Sequence, residues 1–221
     1  MAKIVTATKT CKHSAIRDRL HFETFLSDLS ARFVKLESEE VDGEIELALK
    51  RLAEFFGVDR CGLVAVDPER KLAYLTHAWF AEGLERVGGE VNLQSFFPGS
   101  FEKLVSKGEV IRIPNFELLP PEAETDRTSW SKMGVKSSLT LPLFIGKKVQ
   151  YLFALNNMRK EIFWPDGYIP RLRLLGETFV NALARKKAEE ELKNSLTEIR
   201  RLKEKIRAEA DYLRSEINES R

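Results

Sequence analysis

The residues able to do chemistry are few and scattered. Nucleophilic catalysis needs a Cys or Ser held beside a base, and this 221-residue chain has only two cysteines, Cys11 and Cys61. Two cysteines without CxxC spacing make neither a disulfide framework nor a metal knuckle. Cys61 opens an apolar run, where a small core hydrophobe is the expected role; Cys11 lies in a polar lead-in. Of the three histidines, His13, His21 and His77, none belongs to a visible Asp/Cys/His cluster, so no metal site is expected. His77 is the sharpest single residue, alternating with Leu75 and Trp79 on one face of a predicted strand. Two readings stay open for it: an ordinary half-buried histidine, or a heme or iron ligand. The sequence has neither GxxxxGKS/T nor GxGxxG, so no phosphate-cradling loop is indicated.

Aromatic residues carry more. Trp79, Phe96, Phe97 and Trp130, with Met133 following, fall where strands pass into loops, and such loops often close over a concave apolar site. Plain core packing is the rival reading. If these residues line a cavity, its ligand has an apolar or aromatic face.

The elements that must position them read as an α+β unit. Residues 1–14 are polar and small, and a flexible lead-in is expected there. Ile16, Leu20, Phe22, Phe25, Leu26, Leu29 and Phe33 then recur at helical spacing. Ser38-Glu39-Glu40 recaps the chain. Val41, Ile45, Ala48, Leu49, Leu52, Phe55 and Phe56 share a face of a second helix, which Gly57 stops. Cys61–Val66 and Leu72–Trp79 flank a turn at Asp67–Lys71, predicting a hairpin. Glycines mark loops from there to residue 100. A short helix is expected at Phe101–Val105 and a strand at Val110–Ile113. Pro120-Pro121 opens a polar segment that ends at Gly134. Ser138–Ile145 and Val149–Leu155 flank Gly146-Lys147-Lys148, a second hairpin, with Pro142 calling for an edge or a bulge. From Pro165-Asp166 the chain reads as helix almost to its end.

Charge confirms where the compact part stops. Hydrophobic residues make up 43% of the chain, enough for a core, and charged residues 32%. Because 36 Lys and Arg oppose 34 Asp and Glu, a basic field for nucleic acid is not expected. Much of the charge lies beyond Arg185. There Leu192, Ile199, Ile206 and Leu213 stand seven apart, Leu196, Ala210 and Ile217 fall four later, and Lys203 interrupts the seam. A helix of this length, about 55 Å at 1.5 Å per residue, has one narrow seam and nothing in cis to cover it. Isolated helices are marginal in water, so pairing with a second copy is expected. No apolar run reaches the roughly 18–20 residues of a membrane span, and no signal peptide is apparent; a cytoplasmic setting is expected.

The order of elements resembles the GAF sensor domain. FLSDLSARFVKLESEEVDGEIELALKRLAEFFGVDRCGLVAVD is similar to the entry helices and first strand of bacterial signalling GAF domains. GVKSSLTLPLFIGKKVQYLFALNN is similar to their late hairpin, and FWPDGYIPRLRLLGETFVNALARKKAEEEL to their exit helix. The resemblance covers about residues 15–190. It implies an antiparallel sheet of about six strands flanked by helices, in a domain over 15–184, with a coiled-coil linker over 185–221. LTEIRRLKEKIRAEADYLRSEI resembles the linker before the AAA+ ATPase of sigma-54-dependent transcription activators; related domains also precede PAS and histidine kinase modules. The cyclic-nucleotide signature of the family is incomplete: Asn156-Asn157, Phe163 and Asp166-Gly167 lack its Lys and Glu. Its bilin-attaching cysteine and its reductase cysteines are not matched either. Tyr151 stands where a small residue is common and is expected to alter the pocket.

These readings together point to a regulatory domain, not an enzyme. It would bind a small molecule of unidentified chemistry through His77, Trp79, Phe96, Phe97, Trp130 and Met133. It would form a homodimer through its N- and C-terminal helices, with Leu192, Leu196, Ile199, Ile206, Leu213 and Ile217 at the seam. No nucleic-acid, membrane or cofactor partner is assigned. The alternatives are a ligand-free dimerisation scaffold whose cavity is filled by residues such as Tyr151, and a heme or metal sensor using His77.

Overall fold

The computed structural model describes residues 22–86 and 88–219, with side chains as far as residue 210. The expected lead-in over residues 1–14, with Cys11 and His13, and Ile16, Leu20 and His21 lie outside the described residues.

Helix α1 (residues 22–35) buries Phe22, Leu26, Leu29 and Phe33, one stripe at helical spacing. A 3-10 turn at Ser38–Glu40 leads into α2, Val41–Phe56. Its buried face is Val41, Ile45, Ala48, Leu49, Leu52 and Ala53. Gly57 ends α2 in the left-handed conformation, φ 61° and ψ 39°, which costs glycine little.

The sheet follows as β1 (Arg60–Asp67), β2 (Leu72–Phe80), β3 (Glu90–Asn92), β4 (Ile111–Ile113), β5 (Ser137–Ile145) and β6 (Lys148–Asn157). All pairings are antiparallel, in the order β3-β2-β1-β6-β5-β4. This is the expected α+β architecture, with the hairpins β1–β2 and β5–β6 where the apolar runs place them. Pro142 pairs with Leu152 on β6, while β4 reaches only Ser138–Thr140 on the other side. Pro142 therefore sits on a local edge, where its missing N–H costs no ladder bond.

Antiparallel register sorts the side chains into two faces. Cys61 and Leu63 pair with Leu155 and Phe153 on the face that α2 and α6 cover. Here α2 packs on β1 and β2, and the Phe153 and Phe179 rings lie 6.1 Å apart. Ile45, Leu49, Leu63, Leu141, Phe153, Leu172 and Phe179 are fully buried, each contributing roughly 1.5–3 kcal/mol of hydrophobic stabilisation. Gly176 lets α6 approach β5: a Cβ there would fall 2.7 Å from Leu143 Cδ2.

The second face is Arg60, Gly62 and Val64, paired with Asn156, Ala154 and Leu152. Short helices cover it: α3 (Leu93–Phe96), α4 (Pro98–Phe101), a π turn at Glu102–Ser106, and α5 (Glu124–Lys132). The helix expected at Phe101–Val105 is thus split between α4 and the π turn. The segment read as polar contains a true helix, α5. Leu93, Phe97, Phe101, Leu104, Ile111 and Phe116 form a second core with Val66, Ala73 and Leu152.

Residues through Ala182 make one compact unit and those from Leu183 a second. Helix α6 runs Ile169–Glu219, 51 residues. In the second unit Leu192, Leu196, Ile199 and Ile206 are exposed, and ion pairs such as Glu198–Arg201 (2.7 Å) dress the helix. The side chains of Leu213 and Ile217 lie outside the described residues.

Candidate functional site

Between the second face of the sheet and the short helices lies a cavity of about 140 Å³. Its floor is strand: Gly62 and Val64 from β1, Leu152 and Ala154 from β6. Gly62 and Ala154 stand opposite one another, so the two smallest side chains of the floor leave the space. Gly62 is confined to glycine by β2, since a Cβ would lie 2.9 Å from the His77 carbonyl oxygen. The roof is Phe97, Phe101 and Leu104 with Trp130 and Met133. A dry apolar cavity of comparable size, about 150 Å³, accepts benzene.

Asp126 fixes the roof. It is buried, and its carboxylate accepts from Gly99 N (2.9 Å), Ser100 N (2.7 Å) and Ser100 Oγ (2.6 Å). These bonds tie α5 to the start of α4 and so set Trp130 against Phe97, with ring centroids 4.7 Å apart. Phe116 also packs against Trp130, with ring centroids 5.3 Å apart. The Trp130 Nε1–H is buried and has no hydrogen-bond partner among the described residues.

The cavity wall is mostly apolar, and its polar side chains are Arg60, Tyr74, Ser100, Thr140 and Asn156. Arg60 is 7% exposed. With the Asn156 amide turned so that its oxygen faces the guanidinium, that oxygen accepts from Arg60 Nη2 (2.9 Å) and Nε (3.2 Å). The Asn156 nitrogen then donates to Ser138 Oγ at 2.8 Å. Among the described residues no carboxylate pairs with Arg60, and burial alone lowers its guanidinium to about 10.

Of the residues singled out from sequence, Phe97, Trp130 and Met133 come together at the cavity. Phe96, three-residue neighbour of the buried Leu93 on α3, is 54% exposed and outside it. His77 and Trp79 are a correction. A bulge skips Thr76, so that Val64 pairs with Leu75 but Leu63 pairs with His77. Leu75 keeps the cavity face, while His77 and Trp79 turn to the helix face. There His77 Nε2 lies 3.2 Å from Asp42 Oδ1 and Nδ1 lies 3.1 Å from Thr76 Oγ1. Both ring nitrogens are engaged away from the cavity, which removes the geometric ground for a heme or iron ligand.

Tyr151 is a second correction. It pairs with Ala65 and Leu143, which places it on the helix face, so it does not fill the cavity. Burial and neighbouring Tyr74 raise its phenol. Cys61 also faces the helices, fully buried, and burial pushes its thiol far above the ordinary range. Among the described residues no group of three or more His, Cys, Asp or Glu could hold a metal. Of the signature remnants, Phe163 is 81% exposed and Asp166 pairs with Arg112. Asn157 stitches the chain after β6, accepting from Lys160 N (2.6 Å) and donating to Gly57 O (3.1 Å); only Asn156 reaches the cavity.

The residues missed from sequence are Arg60 and Asn156. Arg60 is the first residue of β1, just before the apolar run that opens at Cys61, and an arginine at a strand start reads as exposed.

A family model described as the GAF domain matches residues 41–180. No curated protein matches the chain. Solved structures share its fold. A phycoerythrobilin-bound GAF domain from a cyanobacterial phytochrome is similar at 18% identity, TM-score 0.63, covering 76% of this chain and 97% of that one. A methyl-accepting chemotaxis protein, residues 122 to 287, is similar at 18% identity and TM-score 0.58, covering 72% and 97%. Free methionine-R-sulfoxide reductase from Neisseria meningitidis, in complex with its substrate, is similar at 13% identity and TM-score 0.57, covering 76% and 91%.

Proposed function

The chain belongs to the GAF domain family, and from that premise we propose that it is a sensor domain that binds a small molecule and relays the event through paired C-terminal helices. The observation that carries this reading is the apolar cavity, left open by Gly62 and Ala154 and roofed by Phe97 and Trp130. A binding role fits the groups around it. Cys61, the cysteine among the described residues, is buried on the opposite face, which is poor ground for the thiol chemistry of a reductase.

The relay rests on the exposed seam Leu192, Leu196, Ile199 and Ile206, whose spacing suits a parallel pair. Lys203 in that seam makes its register easier to shift, and couplings of about 1–3 kcal/mol suffice for such switches. The tail's resemblance to the linker of sigma-54-dependent activators favours an AAA+ transcription activator as the output; a histidine kinase is the second candidate. The setting we propose is cytoplasmic. A ligand-free scaffold loses its main support, because Tyr151 lies outside the cavity.

Sedimentation equilibrium of the full chain against residues 1–189 tests the relay. A dimer weakened at least about tenfold by the truncation supports it. Unchanged dimerisation would remove its basis.

A further inference from the structure

Among the described residues one cation, Arg60, lines the cavity. Arg60 is more than nine-tenths buried, lines the cavity and has no acidic partner among the described residues. Its Nε and Nη2 are held by Asn156; Nη1 donates to nothing among the described residues. Asn156 is itself fixed by Ser138, so the guanidinium is oriented rather than loose. A buried charge without a counterion is costly unless something supplies one. The Trp130 Nε1–H is a second buried donor with no acceptor among the described residues, in a residue that also lines the cavity. Native proteins leave few such groups unmet without a reason.

We infer that the cavity binds a small organic monocarboxylate, one whose body is a single ring or an apolar group of similar size, with the carboxylate on the free edge of Arg60.

The inference rests on the sensor reading above and narrows it. Planar, two-pronged pairing is what a guanidinium offers a carboxylate. One cation matches one negative charge: a phosphate ester dianion would leave charge unpaired in an apolar wall. Among the described residues no Asp or Glu lines the cavity to receive a cationic group on the ligand. The volume, about 140 Å³, fits a body close to benzene in size, and Val64, Leu152, Phe97 and Phe101 offer it an apolar surface.

The test is calorimetric titration of the full chain and its Arg60→Gln variant with benzoate and phenylacetate. Their neutral counterparts benzamide and toluene serve as controls, and circular dichroism confirms that the variant is folded. The expected result is that a carboxylate binds the native chain and loses about 10- to 100-fold in affinity in R60Q. The neutral compounds should bind weakly and equally to both. Neutral compounds binding the native chain as well as the acids, or acids unaffected by R60Q, would overturn the carboxylate assignment while leaving the sensor reading intact. No binding by any of the four, together with a crystal structure showing the cavity collapsed onto Arg60, would overturn both. No binding by any of the four with the cavity open would overturn the carboxylate assignment alone. Should R60Q fail to fold, Ala154→Leu keeps the test: it leaves Arg60 in place and should still abolish carboxylate binding by filling the floor, and unchanged binding in A154L would contradict the site.

Discussion

Replacing Arg60 by Met should make the ligand-free protein more stable, although it removes hydrogen bonds. Burial lowers the Arg60 guanidinium from the usual arginine range to about 10. A drop of roughly two pH units or more, at about 1.4 kcal/mol each, puts the cost of holding the charge at about 3 kcal/mol. Met fills a similar volume without charge. It forfeits the two charge-assisted bonds that share the Asn156 oxygen, together worth about 1.5–3 kcal/mol. The net expectation is a gain of up to about 1.5 kcal/mol, or up to roughly 6 °C in Tm for a chain of this length. The sign with pH follows from the lowered value. Burial disfavours the charged form, so the cost is full below about 10 and is relieved only as pH climbs through that value. The gain from R60M should therefore be flat between pH 6 and 9 and shrink above 10. Urea unfolding of both proteins across that range reads it directly. A loss of more than about 2 kcal/mol in R60M would refute the reasoning, because it would mean that the charge is already paired inside the protein.

Further outcomes follow from the same geometry. Ala154→Leu should leave stability within about 1–2 kcal/mol of the native chain, because buried methylenes contribute about 0.8 kcal/mol each where space exists; thermal melting checks this, and a loss above about 3 kcal/mol would mean the floor is already filled. Asp126→Ala should cost about 2–4 kcal/mol, since Gly99 N, Ser100 N and Ser100 Oγ lose their shared acceptor; the Trp130 fluorescence should shift as the roof loosens. Gly176→Ala should cost about 1–3 kcal/mol in urea melts, because its Cβ would press on the buried Leu143.

Much of the architecture was legible because period and punctuation agreed. The stripe in α2 and the αL stop at Gly57 predicted that helix nearly to the residue. The runs around Asp67–Lys71 and Gly146–Lys148 predicted both hairpins. The roof was harder. Helix α5 has little apolar periodicity, its helicity resting on Asp126 tying it to α4 and on Trp130 packing, which are tertiary facts. Strand β3 is three residues long and pairs only through Leu72–Tyr74. The site was half legible for one reason. Alternation assigns faces only while register holds, and the bulge at Thr76 shifts it. Alternation alone therefore puts Trp79 and His77 on the wrong face, while Phe97, Trp130 and Met133, marked by residue type and loop position, lie at the cavity. Arg60 was invisible as a site residue because a lone arginine beside an aspartate reads as surface until its burial is known.

The central claim is that the space between β1, β6 and the α4–α5 roof is a ligand site. Native mass spectrometry of the purified full chain, with a crystal structure of the same sample, tests it most directly. The account predicts an adduct of small-molecule mass released by denaturation, or taken up from a metabolite panel, with electron density between Arg60 and Trp130. A cavity closed by its own side chains, with no adduct and no thermal shift from any compound in the panel, would contradict it.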